Sequence, residues 1–405
     1  MKILLLQTWL GREQHPVLPL GLASVAGSLE KHQVWIEDLN LSRSPMDKLR
    51  SALAEFNPDA VGFSLRNADT TSFNDRYSFI PRCLEQIELT SRLCPNAHIL
   101  AGGAGFSIFA EQIMDQSPYI HCGVTGHGER IAPELISQRA CGLFHGERGD
   151  FVSPRFDLLS ISSYLPFEQN LAVGVEVNRG CDRRCTYCSY PAISGKSVQE
   201  RSSELINRDI RQLAALGSRH LFLIAPVLNN RKARGMEVAS MVGSLDSGIT
   251  WEAYHSALDF DGEYASFIRD SGCTAVSFSP DGGTAGQMER VGKDYNPVLL
   301  ESAITLAVSN GIEISLNIFP WDAAGGVHEM IRAFRNGARW GRLAGSGLRR
   351  LRFSLIRKHP GTPFAPASVS LNGRLPMKEF NRPSALGMLA FRAMERIYGR
   401  NLNKT

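Results

Sequence analysis

Residues 179–188 read Arg179-Gly180-Cys181-Asp182-Arg183-Arg184-Cys185-Thr186-Tyr187-Cys188. The three cysteines of this stretch have the spacing Cys-x3-Cys-x2-Cys, and they directly follow a short apolar run that predicts a β-strand. In barrels of alternating strands and helices, the loops after the strands carry the active site. The stretch therefore predicts three thiols at the functional edge of a barrel.

Three thiolates in one loop can hold one face of an iron–sulfur cluster. A four-iron cluster usually takes four thiolates, so a triplet leaves one iron open for a substrate or cofactor. A zinc site is one alternative, but zinc normally takes four ligands, and the nearest histidines, His145 and His220, are distant in the sequence. Three reduced core cysteines are the other alternative.

The sequence around the triplet predicts a partial barrel. Apolar runs that predict strands occur at residues 171–177, 219–225, 249–253, 274–279, 312–318 and 349–355. Helical patterns separate these runs, and the alternation indicates a parallel sheet. Six such units are too few for a full eight-fold barrel, which needs about 250 residues. We therefore expect a partial (β/α)6 barrel over residues 171–358.

The N-terminal third shows a similar alternation. Strands are predicted at residues 2–7, 33–37, 59–65, 97–101 and 119–124, and helices at 20–31, 45–56, 79–93, 108–114 and 129–137. The pattern predicts an α/β chain whose residues 1–140 form a Rossmann-like parallel sheet, with ligands at the carboxyl ends of the strands. Residues 141–170 are predicted to be a linker. Residues 359–405 are predicted to be a small helical C-terminal cap, with a helix over 377–398.

Composition narrows the range of partners and locations. The 405 residues carry 44 Lys and Arg against 40 Asp and Glu, a net charge of +4, which is too small to indicate a nucleic-acid partner. Eight cysteines are too few for a disulfide scaffold. No segment reaches the ~18–20 apolar residues of a membrane helix, and the apolar start is too short for a signal peptide. We therefore expect a cytoplasmic protein that does not bind membranes.

The triplet Cys181, Cys185 and Cys188, with Tyr187 before the last cysteine, resembles the signature of the radical S-adenosylmethionine (SAM) superfamily. The resemblance implies that the three cysteines ligate a [4Fe–4S] cluster as metal ligands and catalytic residues. It also implies that SAM chelates the open iron and that Tyr187 lies in the cofactor site. The partial barrel is the fold that this superfamily uses.

Three further residues follow strands of the predicted barrel. Asn229 follows the second strand, and Ser279 and Asp281 follow the fourth. The resemblance implies that these residues contact SAM. A turn built on Asp281-Gly282 is an equally good interpretation of that segment.

The N-terminal sheet resembles the cobalamin-binding domain of cobalamin-dependent radical SAM methylases. Pro19-Leu20-Gly21-Leu22, Asp38, Gly102-Gly103-Ala104-Gly105-Phe106-Ser107 and Gly126-His127-Gly128-Glu129 carry the resemblance. The predicted cobalamin-binding residues are Ser64, Leu65, Asn67, Gly102, Gly103, Gly105, Phe106, Ser107, Gly126, Gly128 and Glu129. Glu129 has an alternative role as a helix cap, because acids favour the first turn of a helix.

The sequence lacks the Asp-x-His-x-x-Gly motif that supplies a histidine to cobalt in other cobalamin enzymes. In the methylase group, a residue of the loop after the third strand lies near the lower cobalt face. The resemblance implies that Arg66 takes this position and has a catalytic role. A guanidinium stays protonated at neutral pH and cannot become a ligand, so it keeps the face free. A surface or capping arginine is the alternative.

A basic cluster surrounds the last predicted barrel strand. Its members are Arg349, Arg350, Arg352, Arg357 and Lys358. The cluster has two interpretations, a solvated face of the protein or a clamp for a carboxylate or phosphate.

The resemblance implies a transferase that moves a methyl group from SAM, via methylcobalamin, to a carbon of a small-molecule substrate. A flavodoxin or ferredoxin would supply electrons. A cobalamin-dependent cyclase or rearrangement enzyme without net methylation is the alternative. An RNA methylthiolation enzyme fits less well, because Cys83, Cys94 and Cys122 lack a cluster-like arrangement. A cobalamin-binding sensor has no need for the triplet.

Overall fold

The computed structural model describes residues 1–12, 14–70, 77–245, 248–322, 324–364 and 381–398. Within these residues the chain builds two parallel α/β units, one after the other. None of the helices in these ranges is long and apolar enough to cross a membrane.

The N-terminal unit is a parallel sheet with helices on both faces. In the described residues its strands are β1 (Lys2–Gln7), β2 (Gln33–Asp38), β3 (Ala60–Ser64), β4 (His98–Gly102), β5 (Cys122–Gly126) and β6 (Gly142–Gly146). Its helices are α1 (Leu20–Gly27), α2 (Pro45–Phe56), α3 (Ile80–Leu93), α4 (Ala104–Ile108), α5 (Ala110–Gln116) and α6 (Ala132–Ser137). The strand order is β2-β1-β3-β4-β5-β6. The order reverses between β1 and β3, and ligands bind at such a switch point.

The first strand shows why this sheet is covered on both faces. Its side chains alternate, so Leu4 and Leu6 pack into one apolar cluster while Ile3 and Leu5 pack into another. A strand that is buried on both faces reads as a continuous apolar run, as residues 3–6 do. The predicted Rossmann-like fold is confirmed.

One strand of this sheet differs from the prediction. Residues 142–146 form the edge strand β6, paired with β5 from Cys122↔Gly142 to Gly126↔Gly146. The sequence pattern assigned them to the linker because glycines flank the segment, and glycine is the commonest signal of a loop. Here both glycines lie inside the strand.

The second unit is an open, parallel sheet in sequential order. Among the described residues its strands are β7 (Gly174–Glu176), β10 (His220–Ile224), β11 (Thr250–His255), β12 (Cys273–Phe278), β13 (Glu313–Ile318) and β14 (Leu348–Phe353). A small antiparallel pair, β8 (Asn178–Arg179) and β9 (Gln199–Glu200), lies beside the first strand. Since β7 and β14 are the edges of the sheet, the barrel is partial, as predicted.

Helices cover the outer face of this sheet. They are α8 (Ser203–Ala215), α9 (Lys232–Gly243), α10 (Gly262–Asp270), α11 (Ala285–Arg290), α12 (Pro297–Ser309) and α13 (Gly326–Ala344). The short helix α7 (Tyr190–Ser194) lies instead against α4 and β5 of the N-terminal unit. The ring of Phe334 on α13 lies 4.5 Å from the ring of Phe353 on β14. Phe353 therefore faces the helices, and the residues that alternate with it face the lumen of the barrel.

The segment between the two sheets is packed against both of them. Its short 3-10 turns are Phe156–Leu158, Ile161–Ser163 and Leu165–Asn170. Three further 3-10 turns lie within the two α/β units, at Leu39–Leu41, Leu228–Asn230 and Gly345–Gly347. The Tyr164 hydroxyl donates to Asp38 Oδ2 at the N-terminal sheet at 2.9 Å, and the turn Leu165–Asn170 contacts β10 of the second sheet. The boundaries at residues 140, 170 and 358 remain predictions.

The last described helix, α14 (Ala385–Tyr398), packs on α13 through Phe391, whose ring lies 5.4 Å from that of Phe334. It agrees with the C-terminal part of the helix predicted over 377–398. The predicted start of that helix lies outside the described residues.

Candidate active site at the junction of the two sheets

The loops after β4 and β5 are joined by one serine. Ser107 Oγ donates to the Gly103 carbonyl at 2.9 Å and accepts from the Gly126 amide at 3.1 Å. Ser107 therefore holds two glycine loops at a fixed spacing on the carboxyl edge of the sheet.

Glycines in the loop after β4 let the loop after β3 approach closely. A Cβ on Gly103 would lie 2.7 Å from the Leu65 carbonyl, and a Cβ on Gly105 would lie 2.5 Å from the Ala68 amide nitrogen. Both contacts are too short, so packing within the protein requires these glycines. Gly128 is different, because its Cβ would meet only a Val124 methyl at an ordinary 3.4 Å.

The other residues that were predicted to bind cobalamin at this edge lie either in the apolar core or nearer the surface. Leu65 and Phe106 are each 1% exposed and belong to the apolar core of the sheet. Ser64 accepts at its carbonyl from the Thr8 amide at 3.1 Å. Asn67 is exposed, and Gly102 is half-buried at the end of β4. Leu65 and Phe106 therefore shape the edge, while their side chains are directed away from it.

Arg66 is the basic residue of the described part of the loop after β3, residues 65–70. Its Nε is buried and has no hydrogen-bond partner among the described residues. Burial lowers the pKa of Arg66, and the charge of Asp38 opposes that effect. The Asp38 carboxylate is occupied by Asn40 and Tyr164. A buried donor without a partner is unusual, and it fits a bound group such as a corrinoid.

Glu129 connects this edge to the barrel. It forms a buried ion pair with Arg179, whose Nε and Nη2 donate to the two oxygens of Glu176, each at 2.7 Å. The helix α6 begins only at Ala132. Glu129 therefore does not cap this helix, and its contact with the cofactor stays a prediction.

The cysteine triplet lies just beyond Arg179. Cys181, Cys185 and Cys188 are half-buried, and none is in a disulfide. Burial, together with the neighbouring Cys185 and Cys181, raises the pKa of the Cys188 thiol to about 11. Burial also raises the pKa of Cys181, and Cys185 adds to the effect. Three thiolates this close repel one another, so the set fits a cationic centre that removes the thiol protons.

A zinc ion requires its ligands to converge on one point, whereas a cubane offers a separate iron to each cysteine. In the described ranges, no three His, Cys, Asp or Glu side chains are arranged around a single metal-ion position.

A group of buried polar side chains fixes the loop that carries the three cysteines. The Tyr187 hydroxyl donates to Asp281 Oδ2, and Lys293 Nζ lies 2.5 Å from the same oxygen. Asn317 Nδ2 donates to Asp281 Oδ1 at 3.4 Å. Burial raises the pKa of Asp281, and Lys293 opposes this. Since three side chains contact Asp281, it positions the loop, and its contact with SAM stays a prediction.

Asn229 also has a structural position. Its Nδ2 donates to the carbonyls of Ser256 and Leu258, both at 3.0 Å, and its Oδ1 accepts from the Ser256 amide at 2.8 Å. The amide thus joins the loops after β10 and β11. Ser279 is half-buried at the carboxyl end of β12 and remains a predicted SAM contact.

The two halves of the site meet at α7. This helix directly follows Cys188, and it packs against α4 and β5 of the N-terminal sheet. The glycine loop that begins α4 and the cysteine loop are therefore neighbours, although the sequence separates them by some 80 residues. The sequence analysis named Glu129 as a cofactor contact but did not predict its ion pair with Arg179, or the role of Glu176, because an ion pair between distant residues leaves no local pattern.

Two family models match this chain. The B12 binding domain matches residues 12–136, and the Radical SAM superfamily matches residues 175–321. An uncharacterized methyltransferase of Pyrococcus horikoshii is 25% identical over 321 residues, which cover 73% of this chain and 67% of that protein. The hopanoid C-3 methylase of Methylococcus capsulatus is 26% identical over 246 residues, which cover 55% of this chain and 45% of the methylase.

Two solved structures share the fold. TsrM of Kitasatospora setae, a radical SAM methyltransferase solved with cobalamin and a [4Fe–4S] cluster, superposes with a TM-score of 0.74 at 21% identity, covering 90% of this chain and 76% of that chain. OxsB, a cobalamin-dependent radical SAM enzyme solved with aqua-cobalamin and SAM, superposes with a TM-score of 0.78 at 14% identity, covering 98% of this chain and 66% of that chain.

Proposed function

Because this chain joins a B12 binding domain to a radical SAM domain, we propose that it is a methyltransferase that moves a methyl group from SAM, by way of cobalamin, to a carbon atom of a small molecule. The single observation that carries the proposal is the packing of α7 against α4 and β5. It brings the cysteine loop and the edge of the B12 binding domain together at one junction.

The cofactors of these two domains are cobalamin, a [4Fe–4S] cluster and SAM. When bound, the corrinoid supplies a methyl carrier, and the cluster with SAM supplies one-electron chemistry. The protein holds these groups in line and excludes water. Cys181, Cys185 and Cys188 would hold the cluster, while Asp281 fixes their loop through Tyr187.

Arg66 would face the corrinoid. Its buried, unpartnered Nε and its position after β3 support this assignment. A guanidinium can donate hydrogen bonds but has no lone pair to offer a metal at neutral pH. The side chain would therefore fill the space next to the cobalt without becoming a ligand.

The test is anaerobic reconstitution with iron, sulfide and hydroxocobalamin, followed by metal analysis and incubation with SAM. We expect about four irons and one corrinoid per chain. With SAM labelled in its methyl group, label in a carbon-methylated product supports the proposal. A candidate substrate converted without a mass gain of one methylene unit would instead support a cyclase or rearrangement enzyme. A chain that binds no corrinoid would contradict both.

Electron delivery is part of the proposal. A flavodoxin or ferredoxin would reduce the cluster, and a chemical reductant can replace either in the first assays. The products distinguish a polar from a radical route of methyl transfer. Transfer of deuterium from a deuterated substrate into 5′-deoxyadenosine indicates the radical route.

A further inference from the structure

Two members of the basic cluster around β14 form ion pairs within the protein. Arg349 Nη1 lies 2.8 Å from Glu252 Oε2 on β11, so both partners belong to the barrel. Arg357, which follows β14, instead reaches the B12 binding domain, where its Nη2 lies 2.6 Å from Asp69 Oδ2. The side chains of Arg357 and Asp69 are 8% and 9% exposed, so this ion pair between the two domains is buried.

The segment that carries Arg357 is held to the barrel. The Ser354 amide donates to the Ile318 carbonyl at the end of β13, 3.0 Å away. Leu355 and Ile356, which follow Ser354, are almost completely buried. Arg357 therefore has a fixed position relative to the barrel.

The Arg357 side chain contacts two separate parts of the B12 binding domain. Asp69 belongs to the loop after β3, whereas Phe109 lies between α4 and α5. The guanidinium carbon of Arg357 lies 5.9 Å from the centre of the Phe109 ring, and Phe109 is part of the apolar core of the N-terminal sheet. One side chain of the barrel thus holds the loop after β3 and borders the segment after β4.

The loop that contains Asp69 also carries Arg66. The Gly105 amide donates to the Arg66 carbonyl at 3.0 Å, and the Phe79 amide donates to the Ala68 carbonyl at 2.9 Å. The backbone of the loop is therefore held by its own domain, while its Asp69 side chain is held by the barrel. Three residues of extended chain span at most about 11 Å, so a displacement of Asp69 is transmitted to Arg66.

The direction of the Arg66 side chain depends on this backbone. Its buried Nε has no hydrogen-bond partner in the part of the chain that the structure describes, so no internal contact of Nε orients the guanidinium. A buried carboxylate that has lost its counterion is strongly unfavourable. Without Arg357 we therefore expect Asp69 to turn toward water, and the loop with Arg66 to shift.

We propose that Arg357 is a positioning residue of the corrinoid site. From the barrel, its ion pair with Asp69 determines where Arg66 lies relative to the cobalt. The inference rests on the proposed function, in which Arg66 faces the corrinoid. It makes the surroundings of the cobalt depend on how the barrel is docked against the B12 binding domain.

The test uses the full chain loaded with cob(II)alamin and measures the cobalt hyperfine splitting by EPR. Arg66→Ala gives the spectrum of a cobalt that has lost the neighbouring arginine. We expect Arg357→Gln to shift the splitting in the same direction, and to cause no further shift in a protein that already carries Arg66→Ala. Arg357→Lys keeps a cation opposite Asp69 and should retain most of the parent spectrum. Arg335→Gln, at an exposed position on α13, is the matched control.

A second variant covers the case in which Arg357→Gln does not fold. Asp69→Asn combined with Arg357→Gln leaves neither member of the pair as an unpaired buried charge, and it should fold and show the same shift. A parent spectrum in this double variant, a parent spectrum in Arg66→Ala, or an equal shift with and without Arg66 would overturn the proposal.

Corrinoid content and methyl transfer are measured on the same samples. A parent protein that binds no corrinoid contradicts both the proposed function and this inference. A loaded parent whose Arg357 variants keep its spectrum contradicts the inference alone. A loaded parent whose variants shift as expected, but which transfers no methyl group, contradicts the proposed function alone.

Discussion

Glu129, in the loop after the fifth strand of the B12 binding domain, forms a buried ion pair with Arg179, two residues before the first cysteine of the triplet. Both side chains are almost completely buried. The pair fixes the edge of one domain against the cysteine loop of the other. Buried charges need partners, so the two loops are coupled energetically as well as sterically.

Replacement of Glu129 by glutamine should loosen this junction. The variant keeps the shape of the side chain but removes the charge that faces Arg179, and we expect a loss of about 2 kcal/mol in the free energy of unfolding. Urea unfolding followed by fluorescence measures this loss. Glu147→Gln, at an exposed position, should unfold like the parent protein. Equal stability of the two variants would contradict a stabilising role for the ion pair.

Replacement of Asp281 by asparagine should impair the cysteine loop. The change leaves Lys293 buried without its carboxylate and weakens the acceptor for the Tyr187 hydroxyl. We expect reduced iron content after anaerobic reconstitution, and a cluster whose EPR spectrum is altered. Asp270→Asn, on the exposed end of α10, is the control and should load iron normally. Full iron loading of Asp281→Asn would rule out the positioning role.

Variants of the three cysteines should lose the iron–sulfur cluster but keep the corrinoid. Alanine at Cys181, Cys185 or Cys188 removes one thiolate ligand, so absorbance from the iron–sulfur cluster should be lost while corrinoid binding persists. Cys141→Ala changes an exposed, free cysteine of the other domain and should leave both intact. Loss of corrinoid together with iron would show that the cysteines maintain the whole fold.

Arg66 can be tested with a spectroscopic reporter. Arg66→His offers an imidazole, a metal ligand, where the native protein offers a guanidinium. We expect nitrogen superhyperfine splitting in the EPR spectrum of the variant loaded with cob(II)alamin, and none in the parent protein. Arg66→Lys retains the positive charge and should resemble the parent. If Arg66→His also lacks the splitting, this side chain does not face the cobalt.

The free energy of unfolding should decrease in acid, because buried histidines stay neutral in the folded protein. Burial lowers the pKa of His255 to about 4, from an ordinary value of 6.5. The unfolded chain binds a proton that the folded chain rejects, so stability is fully present above pH 6.5 and declines as the pH falls toward 4. One such histidine contributes about 3 kcal/mol to this decline. Unfolding midpoints between pH 7 and pH 4 should change less steeply in His255→Asn than in the exposed-site variant His328→Asn, and equal slopes would contradict this assignment.

Much of the architecture follows from local sequence pattern. The apolar runs at residues 2–7 and 312–318, for example, coincide with β1 and β13. A strand buried on one face alternates apolar and polar residues, and a strand buried on both faces is a short apolar run. Either pattern can be seen in the sequence of that strand alone. The sequence pattern did not predict the edge strand β6, because an edge strand is only partly buried and its flanking glycines resemble those of a loop.

The site was predictable only in part, for the same physical reason. The spacing of Cys181, Cys185 and Cys188 lies within one loop, so the sequence by itself determined the cluster-binding motif. The partners of Glu129 and Asp281 did not follow from the sequence, because both depend on distant residues that only the folded chain brings together. Local chemistry determined which groups this protein carries, and only the tertiary structure decided which of those groups remain available for a ligand after their internal hydrogen bonds and ion pairs have formed.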